Sequence, residues 1–128
     1  MEPKEIKVSY GEGRSRIDLV SVITSDGLSL TITGGEKPHV GGVAVSVPRK
    51  SLSSDEISCD TWISPVPGHK DTEVAGPVSA MICRETGQTT AVVAGIHIAN
   101  PGEHEIRQLV ENSREAARLL LEQLGDLE

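Results

Sequence analysis

Three of the four histidines share a setting. His39 lies in Gly34-Gly35-Glu36-Lys37-Pro38-His39-Val40-Gly41-Gly42, His69 in Pro67-Gly68-His69-Lys70-Asp71, and His97 in Ala94-Gly95-Ile96-His97-Ile98-Ala99-Asn100. Each stands near glycine at the expected start or finish of a strand, with a cation or a helix start nearby. Glycines let a ligand approach the backbone and let consecutive N–H groups converge on an anion. Lys37, Lys70 and Arg49 offer positive charge, and Asp71 opens an expected helix whose N-terminus favours anions. Phosphate binding is the chemistry that these residue types fit. The imidazoles would donate hydrogen bonds to phosphate or carbonyl oxygens. His104 lies between Glu103 and Glu105 in the first turn of an expected helix and should face solvent.

Other chemistries find less in the sequence. No two histidines have the His-x-x-x-His spacing of a helical metal site, and no cysteine pair helps, so no metal ligand is assigned. There is no Gly-x-Ser-x-Gly elbow, no Gly-x-Gly-x-x-Gly and no Walker sequence. No pair of acids sits in an apolar motif of the kind that raises a carboxyl pKa. Cys59 and Cys83 fall inside an expected strand and helix, poor places for a nucleophile. They are expected to be free thiols. Residue types alone leave three readings open: a phosphate-binding module, a small histidine-dependent enzyme with or without metal, and an assembly partner without a small ligand.

The elements that must position these loops are legible from periodicity. Ile6–Tyr10 alternates as a first strand. Ile17–Ile23 and Leu28–Thr33 flank Ser25-Asp26-Gly27, a hairpin signal that predicts a tight type I′ turn. Leu28, Leu30 and Ile32 share one face of the second arm, while Ser29, Thr31 and Thr33 share the other. Val40–Val47 alternates Val43, Val45 and Val47 with Ala44 and Ser46. Pro48–Ile57 reads as a polar connection with a helical turn at Ser54-Asp55-Glu56. Cys59–Ser64 is a further strand, placing Asp60 and Trp62 together on the face opposite Cys59, Thr61 and Ile63.

A helix is expected from about Asp71 to Arg84, ended by Gly87, with Pro77 forcing a late start or a kink. Thr89–Ile98 is almost entirely apolar and predicts a central strand buried on both faces. Asn100-Pro101-Gly102-Glu103 predicts the next helix start, with Asn100 as cap, Pro101 in first position and Glu103 closing a capping box. That helix should run to about Leu124, with Ile106, Leu109, Val110, Ala117, Leu120, Leu121 and Leu124 on one apolar face. The order β-β-β-β-β-α-β-α predicts a single α+β domain over residues 1–128. It has two layers: a mainly antiparallel sheet of about six strands, with two helices on one face.

Composition limits the partners. The 128 residues include one Trp, one Tyr and no Phe, which excludes an aromatic platform for stacking bases. A net charge of −7 opposes non-specific binding to nucleic acid or anionic membrane. No apolar run is long enough for a membrane span. Met1–Lys7 carries alternating charges and no signal-peptide core, so a cytoplasmic location is expected.

The three histidine segments, in this order, resemble one small bacterial and archaeal family. Thr33-Gly34-Gly35-Glu36-Lys37-Pro38-His39-Val40-Gly41-Gly42-Val43-Ala44 is similar to its Gly-Gly…His-x-Gly segment. Pro67-Gly68-His69-Lys70-Asp71 is similar to its Pro-Gly-His-basic-Asp loop, and Val92-Val93-Ala94-Gly95-Ile96-His97-Ile98 to its Ala-Gly-Ile-His strand end. This is the prenylated-flavin chaperone family, typified by the LpdD-like small accessory subunit of gallate-type, UbiD-like decarboxylases. The resemblance implies a non-catalytic protein that binds or delivers prenylated flavin mononucleotide (prenylated FMN) to a partner decarboxylase. It also implies a fold like that of proteasome assembly chaperones, often a homodimer. Carried over residue by residue, it implies a cofactor site of Gly34, Gly35, His39, Gly68, His69, Lys70 and His97. Val40, Val66 and Ile98 are the aliphatic side chains expected against the extra apolar ring, and Trp62 the only sizeable ring near the loops.

Overall fold

The structure, a computed structural model, describes residues 2–126. Its elements are β1 (Lys4–Tyr10), a 3-10 turn (Gly13–Ser15), β2 (Ile17–Thr24), β3 (Gly27–Gly35), β4 (Gly42–Lys50), β5 (Ile57–Pro65), α1 (Thr72–Thr86), β6 (Thr90–His97) and α2 (Glu103–Asp126). The order matches the expected β-β-β-β-β-α-β-α. The six strands form one mixed sheet in the order β1-β2-β3-β6-β4-β5. All neighbours are antiparallel except β3 and β6, which are parallel. The last strand in the chain therefore fills the middle of the sheet.

Both helices cover one face. Ile17 and Leu19 of β2, Leu30 and Ile32 of β3 and Val92 and Ala94 of β6 meet Val78 and Ile82 of α1 and Ala116, Ala117 and Leu120 of α2 in a single core. The expected alternation in β3 is present, with Leu28, Leu30 and Ile32 inside. In β4 the inward residues are the small ones, Gly42, Ala44 and Ser46, and the valines face away from the helices. Small residues here let α1 come close: a Cβ on Gly42 would stand 2.7 Å from the Thr72 nitrogen. Ser46 and Ser79 share a 2.8 Å hydrogen bond, Ser46 another of 2.7 Å with Thr61, and Ser79 donates to the Thr90 carbonyl. These pairings satisfy hydroxyls that the close approach removes from water.

Several expectations are corrected. β6 is central but not buried on both faces: Ala91 and Val93 are only half-buried, because no helix covers that side. The Ser25-Asp26 turn is not type I′, since Gly27 alone takes positive φ there, at 122°. β4 begins at Gly42 and continues through Pro48 to Lys50, so the polar connection is shorter and Ser54–Glu56 forms bends rather than a helical turn. Pro48 is tolerated because β6 pairs β4 only as far as Ser46, leaving no ladder partner waiting for its missing N–H. α1 starts at Thr72, not late, and continues through Pro77 at an exposed position. Gly87 ends it in the left-handed conformation, with its N–H on the Cys83 carbonyl.

The α2 start is shifted. Asn100 takes a positive φ of 48° and belongs to the preceding turn. The capping pair is Gly102 and Glu105: the Gly102 N–H donates to the Glu105 carboxylate, and the Gly102 carbonyl accepts from Ile106. Cys59 and Cys83 are free. Burial pushes the Cys83 thiol up to about 11, and the neighbouring Cys59 adds to the effect. Asp60 and Trp62 share the helix-free face as expected, and Trp62 is 61% exposed. No described helix is long and apolar enough to cross a membrane.

Ile82 is fully buried under the sheet. In urea unfolding, Ile82→Ala should cost about 2–5 kcal/mol as a large-to-small core change. Val45→Ala on the open face should cost about 1 kcal/mol or less.

Candidate functional site

The position of β6 between β3 and β4 forces residues 36–41 to cross the end of β6. The crossing is held by backbone hydrogen bonds. The Glu36 and Lys37 N–H groups both donate to the His97 carbonyl, at 2.7 and 3.3 Å, and the Gly41 N–H donates to the Ala94 carbonyl at 2.9 Å. Gly95 makes the close passage feasible, because a side chain there would run into the His39 backbone. Gly35, at a φ of 75°, similarly has no room for a Cβ against the His97 carbonyl.

Asp71 ties this crossing to α1. It occupies the cap position of the helix, yet its carboxylate makes no capping bond. One oxygen, Oδ1, instead accepts from the Ile96 N–H at 2.9 Å. The other, Oδ2, lies 3.0 Å from His39 Nε2 and 4.0 Å from His69 Nδ1. The Asp71 side chain is 8% exposed, so these contacts replace most of its hydration. Gly41 leaves the necessary space, since a Cβ there would overlap the Asp71 carboxylate and come within 2.8 Å of His39 Nε2.

The three loop histidines converge. The His39 and His69 ring centres are 4.5 Å apart, and those of His39 and His97 are 6.4 Å apart in an edge-on arrangement. His39 Nδ1 lies 3.0 Å from the Lys37 carbonyl, so both of its ring nitrogens face acceptors. A neutral imidazole donates to only one of the two, whereas an imidazolium donates to both. His39 is mostly enclosed, while His69 is 40% exposed and His97 is exposed.

Two cavities of about 300 Å³ each meet at His69 and His97. The first is a cleft between the starts of α1 and α2. Its apolar wall is Val74, Ile98, Ile106, Leu109 and Val110, and its rim carries Gly68, Lys70 and Asp71. The second is bounded by Lys37, His39 and Val40. The loop between β6 and α2, which follows His97, is stapled by charge. Arg14 pairs with Glu36 at 3.6 Å and Glu105 at 2.8 Å and donates to the Ala99 carbonyl, while Glu36 accepts from the Ala99 N–H.

Of the residues singled out from the sequence, His39, His69, Lys70, Gly68 and His97 gather at this end of the sheet. Gly34 and Gly35 belong to the end of β3. Gly34 is buried, with room for no Cβ against Ile17 and the Arg16 carbonyl. The amides that follow them bind the His97 carbonyl, so this loop positions His97 from the backbone. Of the three expected aliphatic contacts, Ile98 and Val40 line the cavities and Val66 lines neither. Trp62 points to the opposite face, and His104 is exposed as expected.

Sequence reasoning missed the roles of Asp71, Gly41 and Gly95. The available signal was a Gly-His-Lys-Asp loop whose acid served two functions: it looked like a helix cap, which concealed its reach to another strand. Ile106 and Leu109 were assigned only to a helix face, and their part in the cleft wall needed the position of α1.

The chain matches the model of the prenylated flavin chaperone LpdD-like domain over residues 11–125, and so belongs to that family. Among solved structures it is similar to one described as the crystal structure of a novel chaperone complex for yeast 20S proteasome assembly. The identity is 15%, the TM-score 0.63, and the match covers 98% of each chain, which establishes a shared fold. No curated protein matches the chain.

Gly41→Ala should cost about 1–3 kcal/mol by forcing apart His39 and Asp71. Gly125→Ala, in the last turn of α2 where nothing lies within 4 Å of a new Cβ, should stay within about 1 kcal/mol of the parent. Paired chemical denaturation curves check the contrast.

Proposed function

We propose that this member of the prenylated flavin chaperone family is a non-catalytic accessory protein. It holds prenylated FMN at the histidine end of the sheet and passes it to a partner UbiD-like decarboxylase. The observation that carries this reading is a cleft with two unlike walls beside converging imidazoles and lysines. A prenylated flavin carries an extra apolar ring and a phosphate, so it needs an aliphatic surface and cations within one site. Ile98, Ile106 and Val110 suit the ring, and Lys70 and Lys37 suit the phosphate. His69 and His97 suit the polar edge of the flavin. Gly68 has open space around it and leaves that rim accessible. Gly34 and Gly35 contribute by fixing the backbone of His97.

The cofactor supplies its bond-making chemistry in the decarboxylase. Here the chain's residues bind it, exclude water from its apolar side and leave its polar side reachable for transfer. His39 belongs to the site as the residue that joins the crossing loop to Asp71. This reading includes a homodimer, for which the helix-free sheet face, with Val45 beside exposed Trp62, is the apolar surface available.

Titration with prenylated FMN should give saturable changes in visible absorbance and calorimetric heat. Lys70→Ala and His97→Ala should each weaken binding about 10- to 150-fold, as expected for one lost hydrogen bond to a charged group. No absorbance or heat change with stoichiometric cofactor would remove the binding reading, and failure of the loaded protein to activate apo-decarboxylase would remove delivery. For the dimer, sedimentation at micromolar concentration should give twice the chain mass; a monomer mass rejects it.

A further inference from the structure

Among the described residues, one place brings together three side chains with metal-ligating atoms. One donor atom each from His39, His69 and Asp71 lies within 4.8 Å of the other two. Two imidazoles and a carboxylate suit zinc and its neighbours, and three protein ligands leave a position open for an outside group.

The surroundings of these donors are those of a built site. Metal-ligating histidines usually donate their other ring N–H to a carbonyl or carboxylate, which fixes the ring and directs the free nitrogen at the ion. His39 has this arrangement, with Nδ1 on the Lys37 carbonyl and Nε2 toward Asp71. The Asp71 carboxylate is likewise anchored through Oδ1 on the Ile96 N–H, leaving Oδ2 toward both imidazoles. With Nδ1–H donating to the carbonyl, the lone pair of a neutral His39 faces a carboxylate oxygen at 3.0 Å. In that tautomer both groups present lone pairs to the space between them, as two ligands of one metal ion do.

We propose that His39, His69 and Asp71 bind a divalent metal ion of the zinc class, with the open coordination position facing the cavity lined by Lys37 and His97. Bonds of about 2.0–2.1 Å in a tetrahedral site place donors about 3.3 Å apart. His39 and Asp71 are at 3.0 Å, His69 and Asp71 at 4.0 Å, and the two imidazole donors within 4.8 Å of each other, so a movement of about 1.5 Å completes the set. The movement falls to His69, the most exposed of the three, which follows Gly68 at a φ of 86°. The three ligands come from a crossing loop, a second loop and a helix start, which is why no sequence spacing announces them. The site does not depend on whether flavin binds, and its test needs no flavin.

Metal-stripped protein titrated with zinc should bind one equivalent by calorimetry, and cobalt(II) should give visible d–d absorption that zinc abolishes. His69→Ala, at an exposed position, and Asp71→Asn should each lower zinc affinity at least tenfold, and His104→Ala should leave it unchanged. In 1H–15N spectra, zinc should shift His39 Nε2 and leave Nδ1 protonated. The proposal is overturned if zinc produces no heat and no His39 shift. Folded His69→Ala that binds zinc like the parent also overturns it.

Discussion

A buried carboxylate that forgoes its own helix cap holds the working end of this protein together. Asp71 sits where an aspartate ordinarily satisfies the first N–H groups of a helix. Here it reaches out to the Ile96 amide of β6 and to His39 on the crossing loop. One side chain thus joins three segments distant in sequence. Removing an acceptor from water in this way is costly unless both oxygens find partners. Local stability is exchanged for placement, a pattern expected where a residue serves a site.

The two faces of the sheet divide the remaining tasks. The helix-covered face carries the aliphatic core, and its small residues on β4 let α1 lie close enough to bring Asp71 to β6. The other face has no helix and exposes Trp62. The cleft opens where the covered face ends, between the starts of both helices, so its walls are continuous with the core on one side and with the histidine loops on the other. This continuity is why a single small domain can offer apolar and cationic surface within one cavity.

Much of the fold was legible in the sequence because it is written in local patterns. The alternation of Leu28, Leu30 and Ile32, the Gly87 stop and the helical spacing of α2 depend on nearest neighbours. The shared setting of the three histidines was legible too, as a similarity among loops. Their convergence was not, because it depends on β6 inserting between β3 and β4, a pairing between residues some sixty positions apart. The misplaced α2 cap has a different origin. Asn100 and Gly102 are both acceptable caps, and the choice was made by tertiary contacts of Arg14 and Glu36 with Ala99. The inward face of β4 was obscured because valines suggest a core, whereas proximity of α1 demanded Gly42, Ala44 and Ser46.

The late entry of β6 into the middle of the sheet bears on how the protein comes into being. Until Thr90–His97 is in place, β3 and β4 have no neighbour in common, and the sheet is a three-stranded piece and a separate hairpin. The crossing loop then has no His97 carbonyl to bind, and Asp71 has no Ile96 amide. Formation of the site and closure of the sheet are therefore one long-range event, of the kind that loop-closure entropy makes slow. A partly folded or nascent chain has no half-built pocket to offer, so a ligand taken at this site would be taken only by molecules that have finished folding.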